Sequence, residues 1–180
     1  AVAAEIADWA TRFGVSSDAL PPLRGGGSER LTVGYVIGQL PRSGSLAFLA
    51  QILARRDPRR FRIVGFGSGD LADPSNLPFQ KCFEAWTDTG DADPLTFASM
   101  VRAENVDILV DVGGLASPTL FRALAARVAP VQTIWSPVVY GMAPRHVDAL
   151  LTDAYLDPPD RPAAVAGESL CRLELGAVLA

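Results

Sequence analysis

The chain has 180 residues, of which 49% are hydrophobic and 20% charged, so it can form one ordinary domain or one large lobe of a two-lobed protein. Its formal net charge of −4 gives no electrostatic basis for binding nucleic acid. No apolar run approaches the ~20 residues of a membrane span, and a start that carries Glu5 and Asp8 is not a signal peptide.

Cys82 and Cys171 lie far apart and lack the spacing of metal ligands. They predict two reduced thiols in a cytoplasmic protein, and we expect neither a metal site nor a bound cofactor. Because the sequence does not begin with methionine, we expect it to be a piece of a longer chain.

The first 30 residues are predicted to form a unit of their own. Residues 1 to 13 have helical spacing, with Ile6, Trp9 and Phe13 on one face. Residues 14 to 30 contain two consecutive prolines and three consecutive glycines, a composition typical of a linker. We therefore divide the chain into a helix and linker over 1–30 and a larger domain over 31–180.

Strands and helices alternate through that larger domain. The pattern predicts strands at 31–37, 61–66, near 83–86, 106–112, 131–135 and 147–152, with helices at 45–56, 94–105 and 118–127. Asp93 and Ser117 are the expected N-caps of the last two helices, and the stretch beyond the last strand reads as loop as far as Leu170. Such alternation favours an α/β fold, with a Rossmann-like, mostly parallel sheet and helices on both faces.

The stretch 106–115 organises this domain. Its nearly continuous apolar run predicts a strand buried on both faces, and Gly113-Gly114 follows, where the backbone can turn sharply or admit a ligand closely. Asp111 is the exception inside the run, since a buried carboxylate must be paired, hydrogen-bonded or near solvent. We interpret it as an anchor for the turn after the strand.

Three further features leave both a functional and a structural interpretation open. Gly65-Phe66-Gly67-Ser68-Gly69 resembles a phosphate cradle but lacks the dinucleotide spacing, and it is equally the end of a strand with a flexible turn. Tyr140 lies in a loop after a predicted strand and either stacks on a sugar or base or covers the edge of the core near Trp135. His146, the sole histidine, is either incidental or a proton shuttle.

An ordered set of segments resembles the bacterial O-linked N-acetylglucosamine transferase family, of the SPINDLY type. The residues that carry the resemblance run from about Trp9 to Leu173 and include Val33-Gly34-Tyr35-Val36, Arg60-Phe61, Val106 to Asp111, Ala129-Pro130-Val131-Gln132, Trp135, Val147-Asp148 and Leu151 to Pro159.

The resemblance implies a two-lobed glycosyltransferase of the GT-B type, in which this chain is the first lobe and contributes the acceptor side of the cleft. It implies a nucleotide sugar, bound mainly by a second lobe that these 180 residues lack, and a protein or other hydroxyl acceptor. The helix over 1–13 would join the lobe to upstream tetratricopeptide helices.

The family's site positions fall on Ser43, Gly113, Gly114, Leu115 and Tyr140, which we take as candidate substrate-binding residues. Ser43-Gly44 stands where the family has histidine and proline, and Leu115-Ala116 follows Gly114 where it has histidine or tyrosine and then threonine. The loop 137–141 replaces a Gly-Tyr-Pro-Gly-Thr sequence.

These departures leave the catalytic residues unassigned, with His146 as one place from which a base could come. Three functions stay open. They are a divergent glycosyltransferase lobe, an inactive lobe kept for binding or scaffolding, and an unrelated Rossmann protein for a small ligand.

Overall fold

A computed structural model describes residues 2–23, 29–39, 45–69, 76, 79, 81–112, 118–135, 146–154, 158 and 169–173. Within these residues the helices are α1 (Val2–Phe13), a 3-10 turn (Ser17–Ala19), α2 (Ser45–Ala54), α3 (Pro94–Ala103) and α4 (Pro118–Leu124). The strands are β1 (Leu31–Gln39), β2 (Phe61–Ser68), β3 (Ala85–Asp88), β4 (Ile108–Asp111), β5 (Val131–Ile134), β6 (Ala149–Asp153) and β7 (Ser169–Leu173).

The seven strands form one sheet in the order β3-β2-β1-β4-β5-β6-β7. Every neighbouring pair is parallel, from Leu31 opposite Phe61 on one side to Asp153 opposite Leu173 on the other. The predicted Rossmann-like α/β fold is therefore confirmed, and β7 begins within one residue of Leu170, where the predicted loop ends.

Helices cover both faces of this sheet. Val36, Phe66 and Leu109 point to one face and pack with α3 and α4, whose buried residues include Phe97 and Leu124. The other face carries Val33, Ile63, Val110 and Trp135 and packs with Leu49, Ala50 and Leu53 of α2. Because both faces are covered, the central strands read as almost unbroken apolar runs.

Two elements show how local sequence sets the boundaries. Asp93 accepts hydrogen bonds from the backbone N–H groups of Leu95 and Thr96, as expected of an N-cap, and Pro94 follows at the first helical position. Gly65 lets β2 and β3 approach closely, since a Cβ atom there would lie 2.4 Å from the Trp86 ring. Strand β2 therefore continues through the glycine-rich segment and ends at Ser68, two residues beyond the end predicted from the sequence.

Acidic side chains hold the amino edge of the sheet, where the strands begin. Asp107 Oδ2 accepts a hydrogen bond from the backbone N–H of Thr32 at 2.8 Å, which joins the start of β4 to β1. Asp148 Oδ2 accepts from the backbone N–H of Gln132, also at 2.8 Å, and from Arg127 Nη1 at 2.6 Å. These contacts fix the register of neighbouring strands at one edge and leave the other edge to the loops.

Candidate functional site

The order of the strands places a topological switch point between β1 and β4. From β1 the chain proceeds outward through β2 and β3 on one side, and from β4 it proceeds through β5, β6 and β7 on the other. The helix after β1, α2, packs on one face, and the helix after β4, α4, packs on the opposite face. In open α/β sheets, ligands bind in the crevice that this divergence opens at the carboxyl ends of the strands.

The five candidate residues, Ser43, Gly113, Gly114, Leu115 and Tyr140, lie outside the described residues. Their places in the chain are nevertheless informative. Ser43 comes four residues after the end of β1, the triplet 113–115 begins two residues after the end of β4, and Tyr140 comes six residues after the end of β5. These three strands are consecutive neighbours in the sheet.

Asp111 is the last residue of β4 and is 1% exposed. A carboxylate within such an apolar run must be paired, hydrogen-bonded or near solvent, and the low exposure of Asp111 excludes the last of these. Its backbone oxygen accepts a hydrogen bond from the N–H of Trp135 at 2.7 Å, and the N–H of Val112 donates to Val36 at 3.0 Å. The backbone at the switch point is thus held on both sides. The anchoring role of the Asp111 carboxylate stays a prediction, because the turn after Val112 lies outside the described residues.

Trp135 follows β5 and is 8% exposed, in the cluster on the face covered by α2. The structural interpretation of a tryptophan in the core is therefore confirmed. The companion interpretation of Tyr140 falls on a residue that the structure does not describe.

A second buried carboxylate at the same edge was not singled out from the sequence. Asp153 ends β6 and is 1% exposed, beside Thr152 with the same exposure. The sequence did contain a signal, since Val-Asp followed by an apolar strand ending in aspartate occurs at both 106–111 and 147–153.

The two carboxylates do not form an acid–base pair. Asp111 is in register with Ile134, which is in register with Leu150, so Asp153 lies three residues beyond that level and two strands away. Because side chains alternate between faces, Asp153 also points to the opposite face from Asp111.

His146 lies at the amino edge, three residues before the start of β6. Its backbone oxygen accepts a hydrogen bond from Gln132 Nε2 at 2.8 Å. The length of β6, about 13 Å at ~3.3 Å per residue, separates it from the edge where the candidate loops begin. The hypothesis that His146 supplies a base to that edge of this lobe is therefore wrong.

The remaining motif, the glycine-rich segment 65–69, is strand up to Ser68, and Gly69 then adopts a φ of 114°. This geometry agrees with a strand that ends in a turn, and the conformation of Gly69 is one that glycine adopts without strain. Its structural interpretation is thus the one that the fold supports.

Burial raises the pKa of two described groups, the phenol of Tyr35 and the thiol of Cys82. Tyr35 lies in the middle of β1 opposite Val110, and burial raises the pKa of its phenol to about 12. The phenol is therefore protonated at neutral pH and provides no base. Neither Cys82 nor Cys171 forms a disulfide; burial raises the pKa of the Cys82 thiol, and Cys171 is exposed.

Neither a metal cluster nor a membrane helix occurs in the part of the chain that the structure describes. No three His, Cys, Asp or Glu side chains there gather closely enough to hold a metal ion. None of the described helices has the length and apolar character needed to cross a bilayer.

Comparison with known proteins identifies relatives over most of the chain. The probable UDP-N-acetylglucosamine–peptide N-acetylglucosaminyltransferase SPINDLY of Arabidopsis thaliana is 29% identical over 134 residues, which are 72% of this chain and 15% of that protein. The SPINDLY protein of Oryza sativa subsp. japonica is 30% identical over 134 residues, covering 72% of this chain and 14% of that protein. No protein-family model matches the chain.

The fold is shared with a solved glycosyltransferase. A mutant of the Thermobaculum terrenum O-GlcNAc transferase superposes with a TM-score of 0.76 at 26% sequence identity, over 95% of this chain and 33% of that one. The resemblance drawn from the sequence is thereby confirmed: the chain is related to SPINDLY and O-GlcNAc transferase proteins and has the fold of part of their GT-B structure. It spans about one seventh of the length of the curated relatives.

Proposed function

We propose that the chain is the first lobe of a cytoplasmic glycosyltransferase that moves a sugar from a nucleotide sugar to a hydroxyl group of a protein. The observation that carries the proposal is the switch point between β1 and β4, where an α/β sheet of this order opens its ligand crevice. Relatives named as N-acetylglucosaminyltransferases support the same reaction class.

In this proposal Ser43, Gly113, Gly114, Leu115 and Tyr140 line the acceptor side of the cleft. Support comes from the three strands that precede them, since β1, β4 and β5 are adjacent and end at one edge. The nucleotide sugar would be held mainly by a second lobe, and residues 1–30 would join this lobe to helical repeats upstream. The length of the relatives, about seven times that of the matched segment, leaves room for both.

These candidate residues lack the general base that transfer of a sugar to a hydroxyl requires. Transfer to a hydroxyl requires removal of the acceptor proton and stabilisation of the leaving diphosphate. Leu115 has no proton-accepting atom, and the Ser43 hydroxyl is not a base at neutral pH. Since the loss of a general base costs ~100- to 10,000-fold in rate, the active form of this proposal needs a base from another part of the complete protein.

That same deficit favours a second candidate, in which the lobe keeps the scaffold but has lost catalysis and serves as a binding module. The location of His146 at the amino edge strengthens this alternative, because the sole histidine of the chain is too far away to act at the switch point.

Calorimetric titration of the complete protein with UDP and UDP-sugars, followed by a transfer assay on a protein substrate, separates the candidates. Binding together with transfer supports the enzyme, and binding without transfer supports the inactive lobe. Failure of the complete protein to bind UDP or any UDP-sugar would overturn the glycosyltransferase proposal. Gly114→Trp should abolish acceptor-dependent transfer, whereas Arg59→Ala should not, because that side chain is 88% exposed at the opposite edge.

A further inference from the structure

The crossovers between the strands share one handedness, which decides the face of the sheet that each of them covers. The steps from β1 to β2 and from β2 to β3 pass over one face, where α2, Phe79 and Phe83 pack. The steps from β3 to β4 and from β4 to β5 run the other way along the sheet and pass over the opposite face, where α3 and α4 pack. Parallel strands are joined by right-handed crossovers in nearly all proteins. The rule therefore assigns any step from β5 toward β7 to the α4 face and assigns none of them to the α2 face.

The register of the last strands identifies the side chains on the α2 face. Leu151 of β6 points to that face, because it packs against the cluster beneath α2. Cys171 of β7 is in register with Leu151 and so points the same way. Alternation along each strand adds Ala149 of β6 and Leu173 of β7. Four neighbouring side chains of the two strands thus share this face.

These side chains are open to solvent. Cys171 is exposed, Leu173 is 36% exposed, and the two side chains of β6 are half-buried. Val131, at the start of β5, is 39% exposed and lies on the same face, because it is in register with Ile108 of the α2 cluster. Four of the five are aliphatic and the fifth is a cysteine. We call this set the edge face, and it consists of Val131, Ala149, Leu151, Cys171 and Leu173.

The exposure is confined to the edge face. On the α4 face of the same strands, Ile134 and Leu150 are at most 2% exposed. On the α2 face itself, Trp135 and Asp153 at the carboxyl edge are buried. The edge face is therefore a bounded apolar area, surrounded by closed packing on these sides.

The size of the edge face suits a single helix. The axes of β5 and β7 lie about 10 Å apart, and five residues of β7 extend over about 13 Å. An α-helix is about 10 Å across, and three turns are about 16 Å long. A stable dimer buries about 800 Å² on each partner, and five partly exposed side chains of this size provide much less. The area therefore favours one helix over a second copy of the chain.

A helix that belongs to the same polypeptide needs only a small contact area. Its local concentration is set by the tether, so it docks without the entropy cost of a separate partner. The 134 residues that match the Arabidopsis thaliana relative are 15% of that protein, so relatives of this kind carry ample further chain. Parallel sheets are covered on both faces, which gives such a helix a structural role.

We propose that an amphipathic helix from a part of the complete polypeptide outside residues 1–180 packs on the edge face. Its aliphatic side chains, spaced three and four residues apart, contact Leu151, Cys171 and Leu173. The helix completes the second layer over β5 to β7. This inference does not rest on the proposed transferase function, since an active and an inactive lobe need the same layer.

Cys171 gives a direct test, because iodoacetamide reacts only with a thiol that it can reach. The purified complete protein carrying Arg59→Cys is alkylated, and mass spectrometry follows both thiols in one sample. Arg59 is the reference because its side chain is 88% exposed. Each native rate is divided by the rate of the same thiol in urea. We expect Cys171 to react at least about tenfold more slowly than the introduced thiol, since reaction requires the helix to detach.

Two results of this experiment would overturn the proposal. Equal normalised rates would show that the edge face is open in the complete protein. Protection of Cys171 that disappears on dilution would show that a second copy covers the face.

A pair of leucine variants tests the contact itself. Leu173→Glu places a charge in the apolar contact, so it should speed the alkylation of Cys171 about tenfold. Leu95→Glu is the matched control, because Leu95 is 39% exposed on α3, and it should leave the rate unchanged. Undiminished protection of Cys171 in Leu173→Glu would contradict the proposal, and so would an equal acceleration by Leu95→Glu.

Discussion

Asp107 and Asp148 occupy the same position relative to two different strands, one residue before β4 and one residue before β6. Each uses Oδ2 to accept a backbone N–H of the adjacent strand, at 2.8 Å in both cases. The Val-Asp sequence that precedes both strands thus builds the same contact twice, and it ties β4 to β1 and β6 to β5.

The Asp148 contact should be worth more than an ordinary surface ion pair. Asp148→Ala removes the acceptor of a backbone N–H as well as the partner of Arg127, so we expect a loss of about 1 to 2 kcal/mol in the free energy of unfolding. The matched control is Asp8→Ala, which breaks an exposed aspartate–arginine pair with Arg12 and should cost at most about 0.5 kcal/mol. Urea unfolding measures both, and equal losses would show that the N–H contact adds nothing.

Gln132 should be one of the most sensitive positions in the lobe. Its Oε1 atom accepts from the N–H groups of Val128 and Ala129 at 2.7 and 3.3 Å, and its Nε2 atom donates to two backbone oxygens. Gln132→Met keeps the length but leaves these buried groups unpaired, which should destabilise the lobe by about 2 to 4 kcal/mol. Val131→Ala, at an exposed neighbouring position, is the control and should cost less than about 1 kcal/mol.

The close approach at Gly65 predicts a coupled pair of substitutions. Gly65→Ala brings a methyl group within 2.4 Å of the Trp86 ring and should cost about 1 to 3 kcal/mol through overpacking. In a Trp86→Leu background the same change should cost about 1 kcal/mol less, because the obstructing ring is gone. A double-mutant cycle measured by chemical denaturation checks this, and strict additivity would contradict it.

The buried phenol of Tyr35 predicts an alkaline limit to stability. Its pKa is about 12 in the folded chain, above the ordinary value of 10.0, so the folded state holds the proton more tightly than the unfolded state does. The resulting stability is complete below pH 10 and is lost as the pH rises toward 12. Between pH 10 and pH 12, the free energy of unfolding should therefore fall less for Tyr35→Phe than for the original chain. Urea unfolding at several pH values measures this difference. Parallel curves for the two proteins would count against the burial of the phenol.

The position of Leu115 in the proposed cleft predicts tolerance of a polar side chain. Leu115→His should leave the unfolding midpoint within about 2 °C of the original. Leu109→His introduces the same group at a position that is 0% exposed in β4 and should lower the midpoint by many degrees. If both variants lose the same stability, position 115 belongs to the core and leaves the set of binding candidates.

Periodicity and capping predicted the fold because the elements that build it are locally encoded. The apolar run at 108–112 and the Asp93-Pro94 cap both appear where the sequence indicated. The boundaries depended on tertiary contacts instead. The helix predicted to reach residue 127 ends at Leu124. The next two backbone N–H groups donate to carbonyl oxygens three residues earlier, and the Gln132 side chain then accepts a hydrogen bond from a later backbone N–H.

Other features required partners far away in the chain. Phe83 was predicted to open a strand, yet it precedes β3 and packs against Trp86, with ring centroids 5.4 Å apart. A pocket beside His146 is lined by residues that lie more than 100 positions apart in the chain, so no local sequence pattern could predict it. At the switch point, the sequence indicated the loops by their position after the strands. The burial of Asp153 depends on its neighbours in the folded sheet, so only its Val-Asp-strand-Asp pattern, shared with Asp111, signalled it in the sequence.

The hydrogen bonds of Asp107 and Asp148 join β1 to β4 and β5 to β6 at the amino ends of these strands. Their location determines which parts of the lobe tolerate substitution. Substitutions in the loops at the far ends do not touch the contacts that set the alignment of these strands. A lineage can therefore replace its reacting groups, or lose them altogether, while the frame that presents them persists.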